Sequence, residues 1–198
     1  EDQMVIEPND LELFEWLCNH VSEEPVNPRA FASEICPDTR LKFKLPVLGV
    51  ISHHKTEDGV PITLGDPRSP TAEAYRTLRT NVSHTSVDKP LCTLMVTSSE
   101  PAEGKSTVIS NLGVVLAQTG RRIIIVDCDL RHPRIHTYFG LDNRQGMSDL
   151  FFQTTDVPPD NYYQETKVKN LWVITTGPLP PNPAELLGSQ KMQRILAA

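Results

Sequence analysis

An α/β domain with a mostly parallel sheet and helices on both faces is the architecture this sequence predicts, and three observations carry the prediction. The apolar run Leu91–Val96 leads through a short polar segment into Gly104-Lys105-Ser106-Thr107, which opens a stretch, Val108–Ala117, that is apolar on one helical face. A second run, Ile123–Val126, is short, continuous and apolar, the pattern of a strand buried on both faces, and it ends in Asp127-Cys128-Asp129. A third, Leu171–Thr175, reads as a further strand followed by a proline-rich turn and a helix.

The elements follow in order. Residues 1–40 form an acidic, proline-containing extension in which Asn9 and Glu12 make a capping box, and Leu11, Phe14, Leu17 and Val21 share one face of a short docking helix. Residues 41–198 form the domain itself. Lys44–Ile51 reads as its first strand, and a polar loop runs from Ser52 to Arg68. Ser69 then caps a helix with Pro70 at its first position, and the helix continues through Val82. After the second apolar run, 133–140 and 146–152 read as short helices, and 153–169 as a polar loop. The last helix starts at Asn182-Pro183 with Glu185 at its third position and is expected to run to Ala198.

Composition narrows the functional classes. Of 198 residues, 19 are Lys or Arg and 25 are Asp or Glu; the resulting net charge of −6 argues against a broad nucleic-acid surface. Cys18, Cys36, Cys92 and Cys128 show no Cys-x-x-Cys pairing and are expected to be buried thiols in a reducing compartment rather than disulfides or zinc ligands. The histidines lack metal spacing, and His53-His54 lies in a polar stretch. No apolar run approaches the roughly 18 residues a membrane span requires. No signal peptide is evident and the chain opens on Glu1, so it reads as a piece of something longer.

The chemistry concentrates at two places. Strand, tight loop, Gly-Lys-Ser-Thr and helix form the layout of a phosphate-binding loop, in which consecutive backbone N–H groups and the positive end of the helix converge on one anion. A chance Gly-Lys-Ser-Thr on a surface turn would lack both flanks. Lys105 can reach β- and γ-phosphates, and the Ser106 hydroxyl can take a place on Mg²⁺. Ser99, Ala102, Glu103, Gly104 and Thr107 complete the loop. Ala102 stands where such loops often use Gly because the backbone turns to positive φ, at a cost of roughly 1 kcal/mol for a residue with a Cβ. The second place is the carboxyl end of Ile123–Val126. Ligands of open parallel sheets collect there, so Asp127 and Asp129 are candidates to hold Mg²⁺ or to accept a proton from an attacking hydroxyl. Capping of a turn is the plainer role for such a pair.

Four motifs together resemble the cytoplasmic catalytic domain of bacterial tyrosine kinases, the P-loop autokinases of capsule and exopolysaccharide export. They are Thr97–Thr107; Ile124–Arg131, similar to the family's second acidic motif; Ser69-Pro70 leading into Glu73-x-x-Arg76-x-x-Arg79; and Thr176-Gly177-Pro178-Leu179-Pro180-Pro181-Asn182-Pro183-Ala184-Glu185-Leu186-Leu187. The resemblance covers residues 45–198. It implies a P-loop NTPase-like fold, truncated at its C-terminus, that uses ATP and Mg²⁺ to phosphorylate tyrosine between neighbouring subunits. Lys105, Asp127 and Asp129 would be catalytic, Ser106 and Asp127 would hold the metal, and Thr107 would face the α-phosphate. Glu73, Arg76 and Arg79 would contact the next subunit of a ring-like homo-oligomer, although spacing alone describes a solvated charged face equally well. A membrane activator or polysaccharide co-polymerase is the further partner implied, with a cytoplasmic location at the inner face of the cell membrane.

Two features of the family are absent from the sequence: a downstream apolar strand ending in Asp, and a tyrosine-rich tail. Tyr75, Tyr138, Tyr162 and Tyr163 are scattered. The partitioning and septum-placement ATPases share the sheet and loop but place a signature lysine four residues before the last loop glycine, where this chain has Glu100. An ATPase of that type and a non-catalytic nucleotide-binding regulator are the alternative functions.

Overall fold

The computed structural model describes residues 4–5, 48–52, 59–84, 92–98, 102–153 and 159–197. Strand β1 (Met4–Val5) pairs antiparallel with β2 (Met95–Val96), the strand that leads toward the phosphate loop. Between them in sequence lie a single turn, α1 (Ile62–Gly65), and the longer α2 (Pro70–His84). Helix α3 (Lys105–Ala117) follows the loop, and β3 (Ile123–Val126) follows α3. Two short helices, α4 (Ile135–Phe139) and α5 (Met147–Phe152), precede β4 (Gln164–Glu165) and β5 (Leu171–Ile174). The described chain closes with α6 (Pro183–Leu187) and α7 (Gln190–Ala197).

Strand β5 is central, parallel to β3 with Ile123 opposite Leu171 and Val126 opposite Ile174, and antiparallel to β4. Of the three described pairings only β3·β5 is parallel, so the described part of the sheet is mixed. Successive residues of a strand point to opposite faces. Ile125 and Val173 accordingly pack with Val114 and Ala117 of α3 and with Ile135 and Phe139 of α4. Their neighbours Val126 and Ile174 pack with Met147, Leu150 and Phe151 of α5 and with Met192 and Ile195 of α7. The expected helices on both faces are therefore present. Gly113 lets α3 approach the sheet: a Cβ there would lie 2.7 Å from Ile125 Cδ1.

Several expectations need correction. Leu48–Ile51 are not in a strand; Leu48 and Ile51 pack against the α2·α3 core, and Asn81 Nδ2 donates to the Leu48 carbonyl. The earlier part of that predicted strand, the docking helix of 9–21 and His53-His54 lie outside the described residues. Ile124 is 44% exposed, so burial on both faces fails there. The predicted loop 153–169 contains β4, whose two residues complete the other edge of β5. The last helix breaks into two at Gly188-Ser189: Gly weakens the helix, and Ser189 Oγ accepts from Met192 N (3.2 Å), capping α7. Asn182 makes no cap bond; its Nδ2 donates to Glu185 Oε2 instead. Cys92 is exposed, contrary to the expectation of burial, and no disulfide links the described cysteines.

The predicted cap on α2 is present, with Ser69 Oγ accepting from Ala72 N (3.1 Å).

Candidate phosphate-transfer site

The phosphate loop is built by backbone conformation. Ala102 has φ 65° and Gly104 φ 100°, so two left-handed residues curl the chain immediately before α3 begins at Lys105. That curl turns successive N–H groups toward one point, and the helix dipole adds its positive end. Ala102 holds the strained conformation its sequence position predicted. Lys105 Nζ donates to Ser98 Oγ (3.0 Å), which places the ammonium back across the loop. Ser106 and Glu103 are half-buried at the same helix start. Ser99 lies outside the described residues.

Helix α3 is buried almost all round, so a polar side chain on it can find a partner only inside the fold. Ser110 Oγ, buried without a hydrogen bond among the described residues, does not find one. Asn111 does so with three bonds. Its Oδ1 accepts from Thr63 N (3.0 Å) and Thr63 Oγ1 (2.9 Å), and its Nδ2 donates to the Thr107 carbonyl (2.9 Å). The first turn of α3 is thereby tied to α1. Thr107 Oγ1 is also 2.9 Å from the Tyr138 hydroxyl on α4. Neither Asn111 nor Tyr138 was singled out by sequence; an Asn inside an apolar helical run was the available signal.

Asp127 stands at the carboxyl end of β3 and is only 2% exposed. Its Oδ1 accepts from Asp129 N (3.1 Å) and its Oδ2 from Ile135 N (3.3 Å), while Thr176 Oγ1 donates to its backbone carbonyl (3.2 Å). Burial pushes its carboxyl above the usual carboxylate range, against the lowering effect of those N–H donors. Thr176 opens the proline-rich motif, so that motif reaches the site through the end of β5. Asp129 behaves differently: its Oδ1 accepts from Arg131 N (3.2 Å) and His132 N (2.9 Å) and so shapes the following loop. Cys128 between them is chemically quiet, since burial and the neighbouring Asp127 push its thiol up to about 12.

Helix α4 joins the two halves of the site. Its first residue bonds Asp127 and its fourth bonds Thr107, so the acidic and phosphate-binding ends share one short element. Each Asp127 carboxyl oxygen accepts one N–H, and the Thr176 hydroxyl also acts on the carboxyl as a donor. Mg²⁺ is commonly held by one or two carboxylates with waters and substrate phosphates supplying the rest. Asp127 and Ser106 carry the oxygen donors such an ion takes; among the described residues no cluster of three acidic, His or Cys side chains builds a protein-only cage.

The three residues predicted for subunit contact separate. Arg76 Nη1 pairs with Glu73 Oε2 (2.8 Å) and its Nη2 donates to the Pro67 carbonyl (2.7 Å), both at the surface. Arg79 turns inward and donates to the Val115 carbonyl of α3 (3.1 Å).

A phosphate-cradling loop at the head of a buried helix, with a buried aspartate at the end of β3, defines an α/β P-loop nucleotide-binding domain. No protein-family model matches the chain. It is 42% identical over 134 residues to "Tyrosine-protein kinase YwqD" of Bacillus subtilis, a match covering 68% of this chain and 56% of that protein. The solved structure of "the chimerical protein CapA2B2" superposes with a TM-score of 0.69 at 34% identity, covering 81% of this chain and 68% of the other. "The kinase domain of Escherichia coli tyrosine kinase ETK" gives 0.68 at 25% identity, covering 82% and 68%. The chain belongs to the bacterial tyrosine-protein kinase family. It spans about half the length of the Bacillus relative.

Proposed function

We propose that the whole protein transfers the γ-phosphoryl group of ATP to tyrosine, chiefly between neighbouring copies of itself, and so regulates capsule or exopolysaccharide biosynthesis and export. The observation that carries this reading is the joining of the loop to Asp127 through α4, because phosphoryl transfer depends on positioning and charge neutralisation more than on covalent chemistry. The backbone N–H groups of Ala102 to Thr107 and the Lys105 ammonium would hold the phosphates. Asp127, whose carboxyl burial pushes above the usual carboxylate range, would orient a cation or accept the proton of the acceptor hydroxyl. Asp129 supports it by fixing the loop that carries Asp127's donors. Ser106 and Asp127 would hold Mg²⁺, which when bound neutralises charge on the phosphates.

Glu73 and Arg76 offer an exposed pair to a neighbouring subunit of a ring, with Arg79 bracing α2 on α3 behind them. A membrane activator or polysaccharide co-polymerase is the further partner of this reading, acting at the cytoplasmic face of the membrane; among the described residues no helix is long and apolar enough to cross it. The domain would comprise 41–198, with 1–40 an extension.

The test is a phosphotyrosine assay on the full-length protein. Lys105→Met should weaken ATP binding roughly a hundredfold, since a charge-assisted contact is lost. Asp127→Asn should cut phosphotyrosine far more than ATP binding. ATP hydrolysis by the wild type with no phosphotyrosine would replace this reading with that of an ATPase.

A further inference from the structure

The loop between β3 and α4 carries three basic side chains within four residues, Arg131, His132 and Arg134, on a chain whose net charge is −6. With Pro133 and Thr137 they line a concavity of about 320 Å³. All three are exposed, and among the described residues none has a hydrogen-bond or ion-pair partner for its side chain. The loop beneath them is held firmly. Asp129 Oδ1 takes the N–H groups of Arg131 and His132, Asp127 Oδ2 takes that of Ile135, and Thr137 Oγ1 donates to the Arg134 carbonyl (2.7 Å). Thr137, on the concavity wall, is one residue from Tyr138, which bonds Thr107 of the phosphate-binding helix. A preorganised cationic hollow therefore opens beside the site.

We propose that this hollow docks acidic residues flanking the acceptor tyrosine, an inference that rests on the tyrosine-kinase reading above and names its substrate class. An acidic segment meeting a chain of net negative charge is drawn to a local positive rim beside the site, which fixes where and in what register it lands. Two guanidiniums in a fixed loop suit carboxylates bidentately. A membrane surface would call for a broad basic face rather than a hollow of this size, and the nucleotide phosphates already have the loop amides and Lys105.

The experiment measures anisotropy of labelled single-tyrosine peptides on the full-length protein, without ATP, so that docking is read whether or not phosphate is transferred. One peptide has glutamates around the tyrosine, and a second has glutamines in their place. The wild type should bind the glutamate peptide roughly tenfold more tightly, and the gap should shrink with salt. Arg131→Gln with Arg134→Gln should close the gap while ATP affinity stays unchanged. Arg134→Glu should reverse it toward a lysine-flanked peptide, which guards against mere unfolding of the first variant. Equal binding of both peptides by the wild type overturns the proposal, as does a gap that survives the double variant. So does a fall in ATP affinity, which would make the arginines nucleotide ligands. Loss of binding to phosphatidylserine vesicles with the peptide gap intact would assign the hollow to a membrane instead. Absence of peptide phosphorylation alongside an intact binding gap would strike the kinase reading and leave the docking hollow standing.

Discussion

Helices α2 and α3 pack against each other yet solve opposite problems. Helix α2 buries a single stripe, Ala72, Tyr75, Leu78 and Val82, and leaves Glu73 and Arg76 to solvent. Helix α3 buries Val108, Ser110 through Val115 and Ala117, and shows solvent little beyond the phosphate loop at its head. The exposed helix can spend polar side chains on a partner. The buried one can reach partners only inside the fold: Ser110 Oγ finds none among the described residues, whereas Asn111 locks α1 and the first turn of α3 together. The terminus proposed to bind phosphate thus sits on a buried, internally tied element, which is where preorganisation is wanted.

The contrast breaks most visibly at Asn111. Asn111→Ala leaves the Thr63 N–H and hydroxyl and the Thr107 carbonyl short of partners, and it should cost about 2–3 kcal/mol in denaturant unfolding. A loss as small as that of a surface substitution would mean that α3 is not locked as described.

Asp127 extends the same logic to a buried charge. Its carboxyl has an ordinary value of 3.8 and is raised in the folded chain. Below 3.8 it is neutral in both states and the folded chain carries no penalty. As pH rises from there through the raised value, the unfolded chain ionises freely while the folded one resists, so the wild type loses stability across that window and the loss is complete above it. Asp127→Asn cannot titrate, so its stability relative to wild type should improve across the window and then level off, even as transfer activity falls. Thermal melts of both proteins over pH provide the check; parallel curves would place the charge in a solvated site.

On α2 the two arginines should differ. Arg79→Ala removes a bond to the Val115 carbonyl and should cost about 1 kcal/mol in the isolated chain. Arg76→Ala breaks an exposed pair and should cost about 0.3–0.5 kcal/mol. Light scattering should then show whether Glu73→Ala with Arg76→Ala dissolves an assembly that the melts hardly notice. Equal costs at 76 and 79 would undo the distinction between the two faces of α2.

The smallest effect is expected at Ala102. Ala102→Gly relieves positive-φ strain of roughly 1 kcal/mol but adds freedom to the unfolded chain, so net stability should move by less than about 0.5 kcal/mol. A gain well beyond that would mean that the loop is more strained than φ 65° implies.

Much of this was legible because the signals are local. The Ser69 cap, the ends of β3, the positive φ at Ala102 and the start of α3 each depend on a few consecutive residues and the conformations open to them. The split at Gly188-Ser189 was also local and could have been read: a Gly followed by a capping Ser is a stop and a start. The exposure of Ile124 was not, since an apolar run does not say which of its residues the packed helices will cover. Residues 164–165 gave no strand signal either, because a two-residue strand owes its existence to the neighbour it pairs with.

By itself the sequence determined the phosphate loop, the aspartate at the end of β3 and the family that combines them, because those motifs are contiguous and their chemistry is set by residue type and spacing. Tertiary structure decided what joins them. It brought Tyr138 to Thr107, Thr63 to Asn111 and Thr176 to Asp127, pairs separated by 31, 48 and 49 residues. It also turned Arg79 inward while leaving Arg76 outside. Such pairings depend on which buried polar group lacks a partner once the core has closed, and that is a property of the packed chain rather than of any segment in it.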